Sequence, residues 1–261
     1  MAEELARMAE AILYDYDPRD LPTDLELMER PDLLMWSRPS PGKWSSSVRR
    51  VRWDEDEAER RIDHVLSFFR ERDRAFVWHV GPSSSPADLP LRLERRGLAR
   101  EPETRLLIAQ LPVEGFRADS DVRVVEARDP AEIKAYLRFA HPDWTVDQVR
   151  RELPERIRFL DVYRGSAGFL LAYFGGELVA NAAWRDSTDG HAVYLTGAGT
   201  KDEHRGRGIY QTLTRYRLAR ALARGRRYAV IQARTDTSMP ILLRRGFTEA
   251  GAVSVFSWEP R

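Results

Sequence analysis

Seven consecutive residues, His204-Arg205-Gly206-Arg207-Gly208-Ile209-Tyr210, hold most of the chemistry that can be read from this chain. Two glycines one residue apart let a backbone come close to a bulky anion, because they carry no Cβ and accept positive φ. The run that follows, Ile209 to Ala223, reads as a helix. The first N–H groups of a helix have no partner inside it and present the positive end of its dipole, so an anion is held there by donors and field together. Arg205 and Arg207 add full positive charge beside that point, where a pyrophosphate would lie. Phosphate is the ligand chemistry this loop predicts. Two other glycine sites fit phosphate less well. Gly197 and Gly199 have no third glycine at dinucleotide-binding spacing, and Gly42-Lys43 is followed by Trp44 instead of the hydroxyl a P-loop offers its metal.

The elements around this loop alternate in a readable order. Val122 to Glu126 is a strand by period and β-branching, Asp129-Pro130 starts a helix through Phe139, and Trp144 to Leu160 reads as a second helix. Gly168 to Phe174, the turn Gly175-Gly176-Glu177 and Leu178 to Trp184 predict a hairpin. A strand over 192–200, the glycine loop, the helix to Ala223, a strand Tyr228 to Ala233, a short helix Pro240 to Arg245 and a strand Ala252 to Trp258 complete the chain.

The loop resembles the pyrophosphate signature of the GNAT superfamily, the acyl-coenzyme A dependent N-acetyltransferases. That pattern is Gln or Arg, two residues, Gly, one residue, then Gly or Ala. Here Arg205, Gly208 and Tyr210 take those places, so a phenol stands where a small residue is usual. The element order over residues 122–258 is similar to the GNAT fold, and Ile241-Leu242-Leu243-Arg244-Arg245-Gly246-Phe247 resembles the family's last helix with its Gly-Phe ending. The resemblance implies acetyl-CoA as cosubstrate, bound by Arg205, Gly206, Arg207, Gly208, Ile209 and Tyr210, with backbone groups of Ala198, Gly199 and Thr200 at the thioester. It implies direct transfer of the acetyl group to a primary amine, expected to belong to a small molecule, and no metal. Gly197 and Gly199 suit a bulge that frees those backbone groups.

The family's acid and base positions are both altered. The tyrosine that often reprotonates the departing thiolate is replaced by Leu242, which leaves Ser238 and Tyr210 as the nearest candidates by sequence. If Ala198 is the residue that holds the thioester carbonyl, Tyr194 takes the place of the glutamate base. A phenol of pKa about 10 is a poor base at neutral pH. Either its pKa is depressed, a bound water serves, or the amine arrives neutral. His191 and His204 are the histidines nearest the site, and His204 reads as a loop residue beside the phosphates. The aromatic residues Tyr173, Phe174, Trp184 and Trp144 are candidates to line an acceptor pocket.

The first half repeats part of the second. Asp56 to Arg72 has Ala58, Ile62, Val65, Leu66 and Phe69 on one helical face, followed by the strand Ala75 to Val80, Ser83-Ser84-Ser85-Pro86, a helix to Arg96, Gly97-Leu98 and the strand Thr104 to Ile108. The end of the chain has the same order and punctuation. At the corresponding helix start, however, Asp54-Glu55-Asp56-Glu57 replaces the glycine loop; four carboxylates suit the helix dipole but repel a pyrophosphate. The fold class expected is α/β (α+β) with two GNAT-like mixed-sheet domains, similar to tandem GNAT proteins. Residues 1–115 would be a degenerate, partial domain without the coenzyme loop, and 116–261 the acetyl-CoA-binding domain, joined by a short linker around 112–116.

Composition limits the alternatives. The net charge of the 261 residues is only +1, which favours neither nucleic acid nor membrane as partner. Residues 1–40 hold ten acids against four bases and residues 201–227 nine bases against two acids, so charge concentrates around the glycine loop. Arg217, Arg220 and Arg224 then read either as a basic rim for phosphate or as the solvated face of a helix. The chain contains no cysteine, which excludes disulfides, a thiolate nucleophile and a thiolate metal site. No apolar run approaches the length of a membrane span, the start Met1-Ala2-Glu3-Glu4 is unlike a signal peptide, and a cytoplasmic protein is expected. A homodimer is left open. Two competing classes remain: a non-catalytic acyl-CoA-binding or sensing module, and a nucleic-acid-associated protein using its arginine-rich helix, against which the small net charge and acidic first half argue.

Overall fold

The computed structural model describes residues 2–40 and 42–260; Met1, at the head of the acidic N-terminal segment, lies outside them. In chain order the elements are α1 (Ala2–Ala11), β1 (Glu26–Arg30), β2 (Leu33–Ser37), β3 (Ser47–Arg49), α2 (Glu55–Glu71), β4 (Phe76–Val80), α3 (Leu89–Arg95), β5 (Ala99–Arg100) and β6 (Thr104–Gln110). The second half follows with β7 (Val122–Ala127), α4 (Pro130–Ala140), α5 (Val146–Tyr163), β8 (Ala167–Phe174), β9 (Glu177–Asp186), β10 (Ala192–Thr200), α6 (Ile209–Ala223), β11 (Tyr228–Arg234), α7 (Ser238–Leu243) and β12 (Thr248–Trp258).

Local chemistry sets the helix starts. Asp129 and Glu132 form a reciprocal capping box at α4, and Thr145 with Gln148 forms another at α5, each satisfying two backbone donors that a helix leaves open. Trp144 therefore precedes α5, and α7 begins at Ser238, ahead of Pro240. The apolar stripe of α2 is buried as its spacing predicts: Ala58, Ile62, Val65, Leu66 and Phe69 pack on Phe76 and Trp78 of β4.

The fold is a mixed α/β layer structure around one sheet. Its strand order is β1-β2-β3-β4-β12-β6-β11-β10-β9-β8-β7, with β5 paired to β12. Two strand pairs are parallel, β3 with β4 and β10 with β11; the others are antiparallel. The centre is an exchange. β6, from the first half, lies between β11 and β12 of the second, while β12 reaches across to β4 and β5. The segment around residue 115 joins β6 to β7, yet the sheet runs unbroken from one half to the other. Alternation along these strands feeds two opposed cores. Leu107, Leu195 and Ile231 face α6 and α7, while Leu106, Ile108, Val230 and Val255 face α1. Beyond them, α4 and α5 cover Phe169 and Leu171. Among the described residues, no helix is long and apolar enough to cross a membrane.

Candidate functional site

The parallel pairing of β10 with β11 stops at Leu195–Ile231. From there β10 turns toward β9, with a bulge between Thr196 and Gly199, while the end of β11 pairs with β6 alone. A V-shaped opening results. Both bulge glycines sit at close approach: a Cβ on Gly197 would meet the Tyr136 hydroxyl at 3.1 Å, and one on Gly199 would meet Asn181 Oδ1 at 3.1 Å. Gly197 also has φ +58°.

At the end of the V lies the glycine loop. Gly206 and Gly208 take φ of +77° and +79°, and a Cβ on either would meet nothing within 4 Å. Gly208 is the residue before α6, which starts without any side-chain cap. The first-turn amides of α6 thus have no side-chain cap, the arrangement that suits an oxyanion. Arg207 lies over the Phe174 ring at 5.4 Å, and Arg205 pairs with Asp202 at 2.7 Å in an exposed bridge. Such a bridge is weak enough for a phosphate to displace. His204, beside the loop, faces Glu177 at 3.5 Å. The ligand atoms of Glu177, Glu203 and His204 come within 4.8 Å of one another, but Glu177 is already paired with Lys201.

Neither reading of the α6 arginines holds. Arg217 is 0% exposed and reaches the carbonyls of Ala183 (3.1 Å) and Thr196 (3.4 Å) at the bulge, with burial lowering its pKa. Arg224 grips Asp186 through two contacts of 2.8 Å and lies over Trp184 at 3.9 Å; Arg220 pairs with Glu126 at 2.9 Å. Arg217 and Arg224 turn inward while Arg220 stays partly exposed in its ion pair, and together they hold the helix to β7, β9 and β10 instead of forming a phosphate rim or a free solvated face. Sequence periodicity missed this because charge was taken as a mark of the outer face.

The candidate proton carriers divide into two groups. Tyr210 and Ser238 come together: the buried Tyr210 hydroxyl makes no hydrogen bond within normal geometry, and Thr214 and Ser238 beside it partly offset the burial that raises its pKa. Ser238 Oγ accepts from the Arg234 amide at 3.1 Å. Leu242, at the altered acid position, is fully buried in the core. Tyr194 lies on the opposite face of β10 from α6, beside Arg185 and Arg49. Burial pushes its phenol up, which removes the depressed phenol from the three alternatives and leaves a bound water or an amine that arrives neutral: Tyr194 stays a neutral phenol and lacks the basicity the glutamate would have supplied.

Two adjoining cavities open on that same face. The inner one, about 370 Å³, is lined by Tyr194, Thr196 and Gly197 of β10, Trp184 and Arg185 of β9, and Asp20 and Trp36 of the first half. The outer one, about 590 Å³, carries Trp44 and Lys43 of the first half, and Trp144, Glu155 and Arg158 of the second. The groove between the halves therefore leads to the bulge. Trp184 and Trp144 line it, but Tyr173 and Phe174 do not. Tyr173 packs under Arg123 and Phe174 under Arg207, on the glycine-loop side.

Among the described residues, the first half has no such opening between β3 and β4. After the parallel pairing of β3 with β4, the chain stays tied to the segment beyond β4: the Ser85 amide donates to the Val51 carbonyl (3.0 Å) and the Trp53 amide to the Ser85 carbonyl (3.2 Å). The Trp53 ring then packs edge-on against Trp78 at 5.9 Å. At the start of α2 stand Glu55, Asp56 and Glu57.

Comparison with known proteins places this geometry. Residues 132–247 match the sequence model of the Acetyltransferase (GNAT) family. The whole chain resembles a GCN5-related N-acetyltransferase from Kribbella flavida, with a TM-score of 0.68 at 17% identity, covering 100% of this chain and 96% of that one. It is also similar to a tandem GNAT protein from the clavulanic acid biosynthesis pathway, solved without AcCoA, with a TM-score of 0.62 at 16% identity over 99% and 94% of the two chains. A functionally unknown conserved protein from Staphylococcus epidermidis ATCC 12228 shares the architecture at a TM-score of 0.66 and 14% identity, over 95% and 100%. No curated protein matches the chain. At these identities the structural likenesses show a common fold.

Proposed function

We propose, from the GNAT domain that residues 132–247 form, that this chain is an N-acetyltransferase that moves the acetyl group of acetyl-CoA directly to the primary amine of a small molecule. One observation carries the reading: the splay of β10 from β11 and the uncapped start of α6 open at the same end of the sheet. A pantetheine chain needs the first and a pyrophosphate the second. Acetyl-CoA supplies the activated thioester when bound. The residues assigned to hold it are Arg205, Gly206, Arg207, Gly208, Ile209 and Tyr210 for the pyrophosphate, with the pantetheine amides extending β10 as an added strand.

Backbone N–H groups near Ala198, which falls in the bulge, and at Gly199 and Thr200, where pairing with β9 resumes, are assigned to polarise the thioester carbonyl, a role worth about 3 kcal/mol per donor. Tyr210 and Ser238 are assigned to the departing sulfur, because their side chains lie beside one another. The groove between the halves takes the acceptor. The first half acts as a degenerate GNAT-like domain without a coenzyme site of its own, which its closed β3–β4 cleft and acidic α2 start support. Arg217 and Arg224, which nucleic-acid binding through α6 would require at the surface, are turned inward.

Calorimetry with acetyl-CoA tests the coenzyme site, and thiol release across a panel of primary amines tests turnover. One site per chain is expected, with binding strongly weakened in Gly208→Val while the fold persists. A stoichiometry of two would overturn the assignment of the first half, and unchanged affinity in Gly208→Val that of the loop. Binding without turnover on any amine would favour an acyl-CoA-sensing module.

A further inference from the structure

Six residues line both cavities of the groove, and Asp20 is the one carboxylate among them. It stands where the outer cavity meets the inner one, which ends on Thr196 and Gly197. Its backbone is held firmly. The Asp20 amide donates to the Asp17 carbonyl at 2.9 Å, and Arg158 of α5 donates to the carbonyls of Arg19 and Asp20, each at 2.9 Å. The carboxylate itself has no hydrogen-bond or ion-pair partner among the described residues. The charged groups that face it are Arg156 and Arg158 of α5, Arg185 of β9 and Asp17 of its own turn. Each of those arginines is already engaged: Arg156 with Glu152, Arg158 with Glu155, and Arg185 with Asp15. Asp20 is thus an unspent acceptor aimed into the space the reacting amine must cross.

We infer that the Asp20 carboxylate, supplied by the first half, is the general base for the acceptor amine, so that the two halves build one catalytic site. This rests on the acyl-transfer reading given above. The amine lone pair forms the C–N bond to the acyl carbon as the C–S bond breaks. Sulfur leaves with the bonding pair, and the proton released from nitrogen passes to Asp20, directly or through one water. Burial of the carboxyl raises its pKa to about 6, which leaves it ionised at neutral pH and more basic than an ordinary aspartate. Tyr194, neutral at the same pH, does not compete for this proton. His141 also lines both cavities, but its ring lies flat on Trp144 at 3.8 Å and burial lowers its basicity. It serves as a wall. With Trp36, Trp44 and Trp144 it gives the groove an aromatic wall, set beside the charged Lys43, Asp143, Glu155 and Arg158.

The test uses the full chain and Asp20→Asn, with tryptamine as acceptor, or with water as acceptor should tryptamine not be acetylated. The expected result is a fall in kcat of about 100-fold or more, loss of the acid limb of the kcat profile near pH 6, and an acetyl-CoA Kd within about twofold of the parent. Carboxyl infrared absorption should show one group titrating near pH 6 in the parent and not in Asp20→Asn. A retained acid limb in Asp20→Asn, or its loss in His141→Gln instead, would overturn the assignment. Acetyl-CoA binding is read separately by calorimetry. Failure of the parent to bind it sinks the acyl-transfer reading, whereas normal binding with an undiminished Asp20→Asn rate sinks this inference alone.

Discussion

Replacing Asp20 by Asn should make the protein more stable at pH 7.5 while lowering the proposed turnover by about 100-fold or more. The Asp20 carboxyl has a pKa of about 6 in the folded protein against 3.8 for an ordinary aspartate, with burial as the leading cause and Arg158 and Arg156 working against it. The folded state therefore keeps this proton over a pH range in which the unfolded chain has released it. The resulting stabilisation is full below pH 3.8 and is lost as pH rises through about 6. Above that pH the protein carries the cost of an ionised, half-buried carboxylate. A shift of about two pH units corresponds to a ceiling of about 3 kcal/mol. The side chain is only partly buried, so solvent screening reduces this to about 1 kcal/mol. An amide of the same shape removes that cost. For a chain of this size the gain should raise Tm by about 2 to 4 °C. Scanning calorimetry of parent and Asp20→Asn between pH 4 and pH 8 measures the difference, which should be largest above pH 6 and shrink toward pH 4. A Tm difference independent of pH, or a variant less stable than the parent at pH 7.5, would refute the reasoning. Greater stability alongside lost turnover would also separate a catalytic role from a structural one, because a structural residue loses both together.

Tyr210→Phe and Ser238→Ala should each leave acetyl-CoA affinity unchanged and lower turnover by about ten- to a hundredfold if that hydroxyl protonates the departing sulfur. Parent-like rates in both variants and in the double variant would leave the proton to water or to the acceptor. Residues 116–261 expressed alone should fail to fold cooperatively, as read by the loss of a sharp thermal transition. They lack β6, and the absent Leu106, Leu107 and Ile108, buried between β11 and β12, are worth roughly 1.5–3 kcal/mol each, enough to consume a typical domain's stability. Supplying residues 1–115 as a second chain should restore the transition, and a well-folded isolated fragment would contradict the strand exchange.

Much of this protein was legible in its one-dimensional order. α6 begins and ends where the run from Ile209 to Ala223 predicts, the hairpin β8–β9 turns at Gly175-Gly176, and the apolar stripe of α2 is buried residue for residue. These features depend on contacts between near neighbours, or on a period of 3.6 or 2 that the sequence itself carries. The bulge at Gly197 and Gly199 and the uncapped loop at Gly206 and Gly208 were legible for the same reason, since a glycine pair marks where the backbone needs positive φ or close approach. Tertiary structure decided the rest. That β6 crosses into the second half, that Arg217 and Arg224 point into the fold, and that the surroundings of Tyr194 raise its phenol all depend on which surfaces meet. Asp20 shows the limit most clearly. In the sequence it is one acid among ten in the first forty residues. Only the packing of its turn against α5 places it at the junction of two cavities. The pKa and the partners of a carboxyl are set by the groups around it in space, and a linear sequence does not contain those distances.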